Sequence, residues 1–387
     1  MGEQLKYLLR EDEISRACKT SNNLYFGGSP QIGKTTLVKS VVNQLRKSRN
    51  RCPIEVEWDT DWTASWIEML LQINLFFIEK VQVLPEVARL VEQYREPSSD
   101  RTKFFEELES RFSTQVLLVM DDLDSAERSY DPHGQPRPGS LTPIEVVGLG
   151  TLPSVRLVAT GRFPISNSRL GRFFDLEEWL LLPPRNLAEK YTQERLEPLE
   201  LKDQDKVASL IITWAGYHPF LLESLLDRIP PKVKEVEGIV AEWKASADVQ
   251  SFLKEVLAYL EWQVSKESEI RIVLRRVLDD TLDKSLSTNE QILVHRLRQC
   301  ALVDAKGFDI PSKLVYQELR RTIVSSRWWH FTGERLFGLA IYSMLLSTVL
   351  MLILGLVGKK PVLGALPMLL PVVYGIYGLF VLRHGHD

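Results

Sequence analysis

The sequence predicts an α/β fold: a parallel sheet in the first half, helices through the second, and two spans of membrane-crossing length at the end. Three observations predict it. An apolar run at Leu24–Phe26 enters a glycine-containing loop that leaves as an amphipathic helix. Gln115–Met120 is an apolar run that closes on two adjacent aspartates. Two uncharged runs, 336–358 and 362–382, lie near the end of the chain.

The 387 residues are 44% hydrophobic and 26% charged, the balance of a chain that buries a core, which excludes disorder as the main state. With 48 basic and 51 acidic residues the net charge is −3, so no global basic field draws nucleic acid. Cys18, Cys52 and Cys300 are an odd, widely spaced set with neither metal-ligand spacing nor a disulfide framework, pointing to a reducing compartment. The stretch 1–23 is polar and lacks a signal-peptide core, and Lys6 stands where a myristoylation motif wants Ser or Thr.

Gly28-Ser29-Pro30-Gln31-Ile32-Gly33-Lys34-Thr35 matches G-x-x-x-x-G-K-[ST] between a strand and a helix, with Thr36 continuing into the helix. Glycines let backbone N–H groups turn inward around phosphates, and the helix N-terminus adds its positive end. Lys34 is expected at the β/γ-phosphates and the Thr35 hydroxyl on Mg²⁺. At the end of the Gln115–Met120 strand, Asp121 is expected to hold Mg²⁺ and Asp122 to orient the attacking water as general base. A third strand, Val155–Thr160, ends in Gly161-Arg162, and Arg162 is expected near the γ-phosphate. Strands at Cys52–Asp59 and Glu177–Leu182 complete a P-loop nucleoside triphosphatase core over 1–185. Ser129–Pro143, with four prolines and two glycines, reads as a loop.

Helices with three- and four-residue apolar spacing follow at Leu187–Leu196, Lys206–Trp214 and Phe220–Ile229, a helical lid over 186–245. His218, in the turn before Pro219, reads as a capping or packing residue rather than a ligand. Over 246–325, further helices, a short strand at Phe308–Ile310 and a last helix predict a winged-helix-like domain. It lacks a dense basic stripe, so packing within the chain or against protein is favoured over DNA.

The segment 326–387 reads as a membrane anchor. Each uncharged run, of 23 and 21 residues, exceeds the roughly 20 needed to cross a bilayer, and three residues join them, so the spans form an antiparallel hairpin. Trp328, Trp329 and Phe331 precede the first span as interfacial rings. Arg320, Arg321, Arg327 and Arg335 outnumber the two lysines of the turn, which places body and C-terminus in the cytoplasm and the protein in the inner (plasma) membrane as a double-pass chain. A buried hairpin in a soluble core is the competing reading.

GSPQIGKTTL, LLVMDD, ATGR and AGYHPFLL, in that order, make Leu24–Ile229 similar to STAND-type ATPases, the AAA+-related signalling NTPases that include the bacterial relatives of NACHT and NB-ARC proteins. The resemblance implies an AAA+-like switch, inactive with ADP and forming homo-oligomers with ATP. It also implies that Pro219 packs near the adenine and Arg162 contacts the phosphate end. Such proteins usually carry a long repeat array as sensor, and this chain has none, which implies either a separate trigger protein or a chain truncated relative to the pattern. The winged-helix histidine that often touches the β-phosphate has no counterpart either. A terminal hairpin in place of a soluble effector resembles bacterial conflict and antiphage systems in which clustered anchors damage the inner membrane. Two other readings stay open: a membrane-anchored motor that remodels a partner protein, and an origin-recognition-like DNA-binding ATPase, which the acidic body argues against.

Overall fold

Five short strands form one all-parallel sheet in the order β2-β4-β6-β1-β7: β1 (Leu24–Gly27), β2 (Arg51–Val56), β4 (Gln115–Met120), β6 (Val155–Gly161) and β7 (Leu176–Trp179). A two-stranded antiparallel ribbon, β3 (Ala64–Ser65) with β5 (Ser140–Leu141), sits apart from it. The computed structural model describes residues 10–325 apart from 48–50, 81–83, 97, 131–138, 234, 267–268 and 283–285. Met1–Leu319 form one compact unit and Arg320–Asp387 a second.

The central strands β4, β6 and β1 are buried on both faces, which is why they read as largely apolar runs, whereas edge strand β7 is partly exposed. Val116, Leu118 and Met120 of β4, with Tyr25, pack on one side against Trp66, Phe77, Phe104 and Phe105. Leu117 and Val119, with Leu24 and Phe26, pack on the other against Ile32, Leu37, Val38 and Val41. The helices behind these contacts are α1 (Glu11–Lys19) and α2 (Lys34–Leu45) on the second face, and α3 (Trp66–Lys80), α4 (Leu84–Gln93) and α5 (Arg101–Phe112) on the first. Asp100 starts α5 by accepting a hydrogen bond from the Lys103 N–H. Two short helices, α6 (Leu123–Ser129) and α7 (Pro143–Gly148), flank β5; a reciprocal Thr142–Glu145 capping box opens α7. Strands β2 and β7 stop at Val56 and Trp179, short of the expected Asp59 and Leu182.

The second half is helical, as its spacing predicts: α8 (Arg185–Leu196), α9 (Gln204–Ala215), α10 (Pro219–Leu226), α11 (Glu237–Ala245), α12 (Ala247–Lys266), α13 (Ile270–Leu278), α14 (Thr288–Gln299) and α15 (Lys313–Ser325). Pro219 is the first residue of α10, where its missing N–H costs nothing. The strand expected at Phe308–Ile310 is a loop instead, closed by one backbone hydrogen bond from the Asp304 N–H to Asp309 O at 2.9 Å. The Arg298 side chain occupies Asp304 O and Gly307 O, acceptors that a wing hairpin would need for its own ladder. The predicted winged-helix-like segment therefore has its helices without its wing.

The expected spans at 336–358 and 362–382 lie outside the described residues, as does 131–138 of the proline-containing loop. Among the described residues no helix is long and apolar enough to cross a membrane. All three cysteines are buried free thiols. Burial pushes Cys18 up to about 11 and Cys300 up to about 12, and raises Cys52 as well.

Candidate functional site

β4, β6 and β1 are neighbours in that order, so three strand ends and the N-terminus of α2 meet at one sheet edge. That edge opens into a cavity of about 570 Å³ lined by Pro30–Thr36, Asp121, Asp122, Arg162, Pro219 and Phe220, with Arg10, Glu223 and Glu255. Of the residues expected at the site, all but Gly28 and Ser29 line it, and those two form the turn beneath.

The loop is built for close approach. A Cβ at Gly28 would lie 2.7 Å from Ile32 Cγ2, so a side chain there would wedge the loop open. Gly33 caps α2 with φ at +100°, a backbone that L side chains rarely adopt. Ser29 is buried, and its Oγ has no hydrogen-bond partner among the described residues. Lys34 is buried too; its Nζ donates to Gly28 O at 2.8 Å and Ser29 O at 2.7 Å. Burial, then repulsion from Arg162, lowers the Lys34 ammonium to about 8 against the pull of Asp121, Asp122 and Asp124. The ammonium is thus held by dipoles rather than by a bonded carboxylate, and it gains most from an incoming anion.

Thr35 and Asp121 are 86 positions apart in sequence, yet Thr35 Oγ1 donates to Asp121 Oδ2 at 2.5 Å. The other carboxylate oxygen of Asp121 accepts from the Thr160 hydroxyl, which in turn accepts from the Asp122 N–H at 3.3 Å. Trp58 Nε1 donates to Asp121 O at 3.0 Å. Asp121 is therefore fixed on three sides, with the Thr35 oxygen beside it. Asp122 starts α6 in a left-handed conformation, φ 53°, and its Oδ1 lies 3.9 Å from Arg162 Nε.

This set fits a nucleoside triphosphate with Mg²⁺. The loop N–H groups, the unpartnered Ser29 hydroxyl and Lys34 suit phosphate oxygens. Thr35 and Asp121 are the two hard oxygen donors such an ion takes from protein, the rest coming from phosphate and water. Among the described residues there is no cluster of three or more His, Cys, Asp or Glu that would hold a metal unaided.

Several residues at the site carry no motif. Arg10 is buried, and its Nη2 donates to Ile32 O at 2.8 Å and Leu181 O at 2.9 Å, tying the segment before α1 to the loop and to the strand exit. Thr160 and Trp58 act on Asp121 from the neighbouring strand and from the loop after β2. His218, the capping or packing residue of the sequence reading, sits at the start of α10 without capping it and packs against the Phe252 ring at 4.6 Å. Burial, then the charges of Arg10 and Lys34, lowers it to about 3, so it stays neutral.

No protein-family model matches the chain, and no curated protein matches it. Among solved structures it is similar to the Walker-type ATPase PABY2304 of Pyrococcus abyssi, at 12% identity and a TM-score of 0.44, covering 81% of this chain and 96% of that one. It is also similar to the ORC2 protein of Aeropyrum pernix in ADPNP–ADP complexes, at 12% identity and a TM-score of 0.40 over 84% of this chain and 93% of that one. A third is Cdc6p of Pyrobaculum aerophilum, at 12% identity and a TM-score of 0.32 over 84% and 94%.

Proposed function

We propose that the chain is a Mg²⁺-dependent ATPase working as a nucleotide switch, tethered to the bilayer by its terminal hairpin and assembling into a homo-oligomer with the triphosphate. The observation that carries the ATPase part is the Thr35–Asp121 pair under the buried Lys34 ammonium. A hydroxyl and a carboxylate in contact, beside a cation satisfied only by loop carbonyls, is an arrangement with an evident use in phosphoryl transfer.

In this reading the loop and Lys34 hold the phosphates. Thr35 and Asp121 would hold Mg²⁺, which would supply charge neutralisation to the phosphates. Asp122 orients a water for in-line attack on the γ-phosphorus; the bond to the β–γ bridging oxygen breaks, and ADP and phosphate leave. Arg162, paired with Asp122 at 3.9 Å and 43% exposed at the sheet edge, is placed to contact the γ-phosphate and stabilise the charge that develops there. The family resemblance implies that Pro219 packs near the base, and Pro219 and Phe220 line the cavity.

The membrane part is carried by the two uncharged runs. In sequence Ser343 and Ser347 have small-xxx-small spacing, and Pro367 and Pro371 fall within the second uncharged run. These features support two roles equally: plain anchoring, and clustered hairpins breaching the inner membrane in defence or regulated cell death, triggered by a separate protein.

The test is the mass of the detergent-solubilised full-length protein with ADP, ATP and a non-hydrolysable ATP analogue, with Lys34→Ala as the blank. A step from monomer to a defined oligomer with triphosphate alone is the expected result. The same mass in every state overturns the switch, and nucleotide binding that survives Lys34→Ala overturns the site.

A further inference from the structure

The two residues that follow the catalytic edge of β6 have an unusual environment. All four backbone polar groups of Arg162 and Phe163 are taken by side chains. Asp124 accepts from the Arg162 N–H at 3.0 Å and the Phe163 N–H at 3.2 Å. Tyr25 donates to Phe163 O at 2.7 Å, and Tyr259 donates to Arg162 O at 2.8 Å. Three of these bonds come from the sheet domain, and the fourth comes from α12. Gln263 Nε2 donates to the Tyr259 hydroxyl at 3.3 Å, which commits that hydroxyl's proton to Arg162. The Phe163 ring is held by Trp262, with centroids 4.2 Å apart, and by the Arg128 guanidinium at 3.9 Å.

The same helix also backs other residues of the cavity lining. Phe252 of α12 packs on His218 and, at 5.1 Å, on Phe220, which lines the cavity with Pro219. Glu255 of α12 lines the cavity itself. Phe252, Glu255, Tyr259 and Trp262 follow the i, i+3, i+7, i+10 spacing that keeps side chains on one helix face. From Phe252 to Tyr259 that face advances about 10 Å, two helical turns.

We propose that α12 is a strut along the nucleotide cavity, with Tyr259 and Trp262 as positioning residues that couple the setting of Arg162 to the helical second half. The choice between di- and triphosphate is then shared between the two halves of the protein. This rests on the nucleotide site proposed above. A hydrogen bond at 2.8 Å tolerates only a few tenths of an ångström before it weakens. A shift of the Arg162 backbone toward a γ-phosphate must therefore drag α12 or break its hold, and a shift of α12 must move Arg162.

The experiment is a double-mutant cycle on the full-length protein in detergent, titrating fluorescent ATP and ADP analogues with Mg²⁺. Tyr259→Phe keeps the ring and removes only the donated bond, and Trp262→Leu removes the edge-to-face contact with Phe163. Each is expected to change the ATP-to-ADP affinity ratio by about fivefold or more, the lower end of ordinary site-to-site coupling. In an Arg162→Ala background the same changes should vanish, because the group being positioned is gone. Ratios within twofold of wild type in both variants, whatever their melting temperatures, overturn the strut. So does an equal effect with and without Arg162. ATP binding that persists in Lys34→Ala would instead refute the nucleotide site, and that result is read separately from the ratio.

Discussion

If Lys34 holds the phosphates as proposed, its burial should make nucleotide affinity depend on pH in a window where the phosphates themselves no longer titrate. Lys34 sits at about 8 because it is buried and faces Arg162. Phosphate anions favour its charged form, so binding raises its pKa and takes up a proton. The charged fraction of the free protein is about 0.9 at pH 7 and about 0.1 at pH 9, so affinity should fall about tenfold between them. The terminal phosphate is mostly ionised across that range. The direct assay is calorimetric titration with Mg·ADP at pH 7, 8 and 9 and constant ionic strength, repeated in buffers of different ionisation heat. At pH 8 each binding event should take up about half a proton. Lys34→Arg, charged throughout, should show no loss across the window even if it binds less well. A flat affinity for wild type from pH 7 to 9 would refute either the placement of Lys34 at the phosphates or its depressed pKa.

Other expectations follow from single contacts. Asp122→Asn keeps a residue type that tolerates the left-handed backbone at this position, so it should bind ATP normally while hydrolysis, followed by phosphate release, falls about 100-fold or more. Thr160→Val removes the hydroxyl that bridges Asp121 and the Asp122 N–H; about 1.5–3 kcal/mol of stability should be lost in denaturant unfolding, with weaker Mg²⁺ dependence of hydrolysis. Trp66, fully buried and edge-on to Phe104 and Phe105, anchors the first core face, and Trp66→Ala should cost about 3–5 kcal/mol in the same assay.

The legible parts of the site were those whose chemistry demands a local pattern. A phosphate loop needs its glycines and lysine within eight positions, and a buried parallel strand must be apolar end to end, so Gly28–Thr35 and Gln115–Asp122 stood out. The residues that finish the site follow no such rule. Arg10 meets Ile32 across 22 positions and Leu181 across 171, and Tyr259 meets Arg162 across 97. Contacts that distant leave no periodicity behind. Thr160 lay inside a strand whose apolar run was clear, but nothing in that run shows that β6 inserts between β1 and β4 and aims its hydroxyl at Asp121. The missing wing has a related cause: the turn Ala305–Gly307 and the apolar Phe308–Ile310 look like half a hairpin, and only the structure shows Arg298 occupying the carbonyls.

The three buried thiols have a practical side. With Cys18 raised to about 11 and Cys300 to about 12, and Cys52 raised as well, the reactive thiolate is on the order of one molecule in ten thousand or fewer at pH 7. The buried native thiols are therefore expected to react slowly with maleimides and spin labels, which a labelling time course of the wild-type chain checks. Cysteines placed at the exposed Lys39 of α2 and Lys254 of α12 would take up the label almost alone. The separation between sheet domain and strut then becomes a distance readable by electron resonance, nucleotide by nucleotide, without first removing a single natural cysteine.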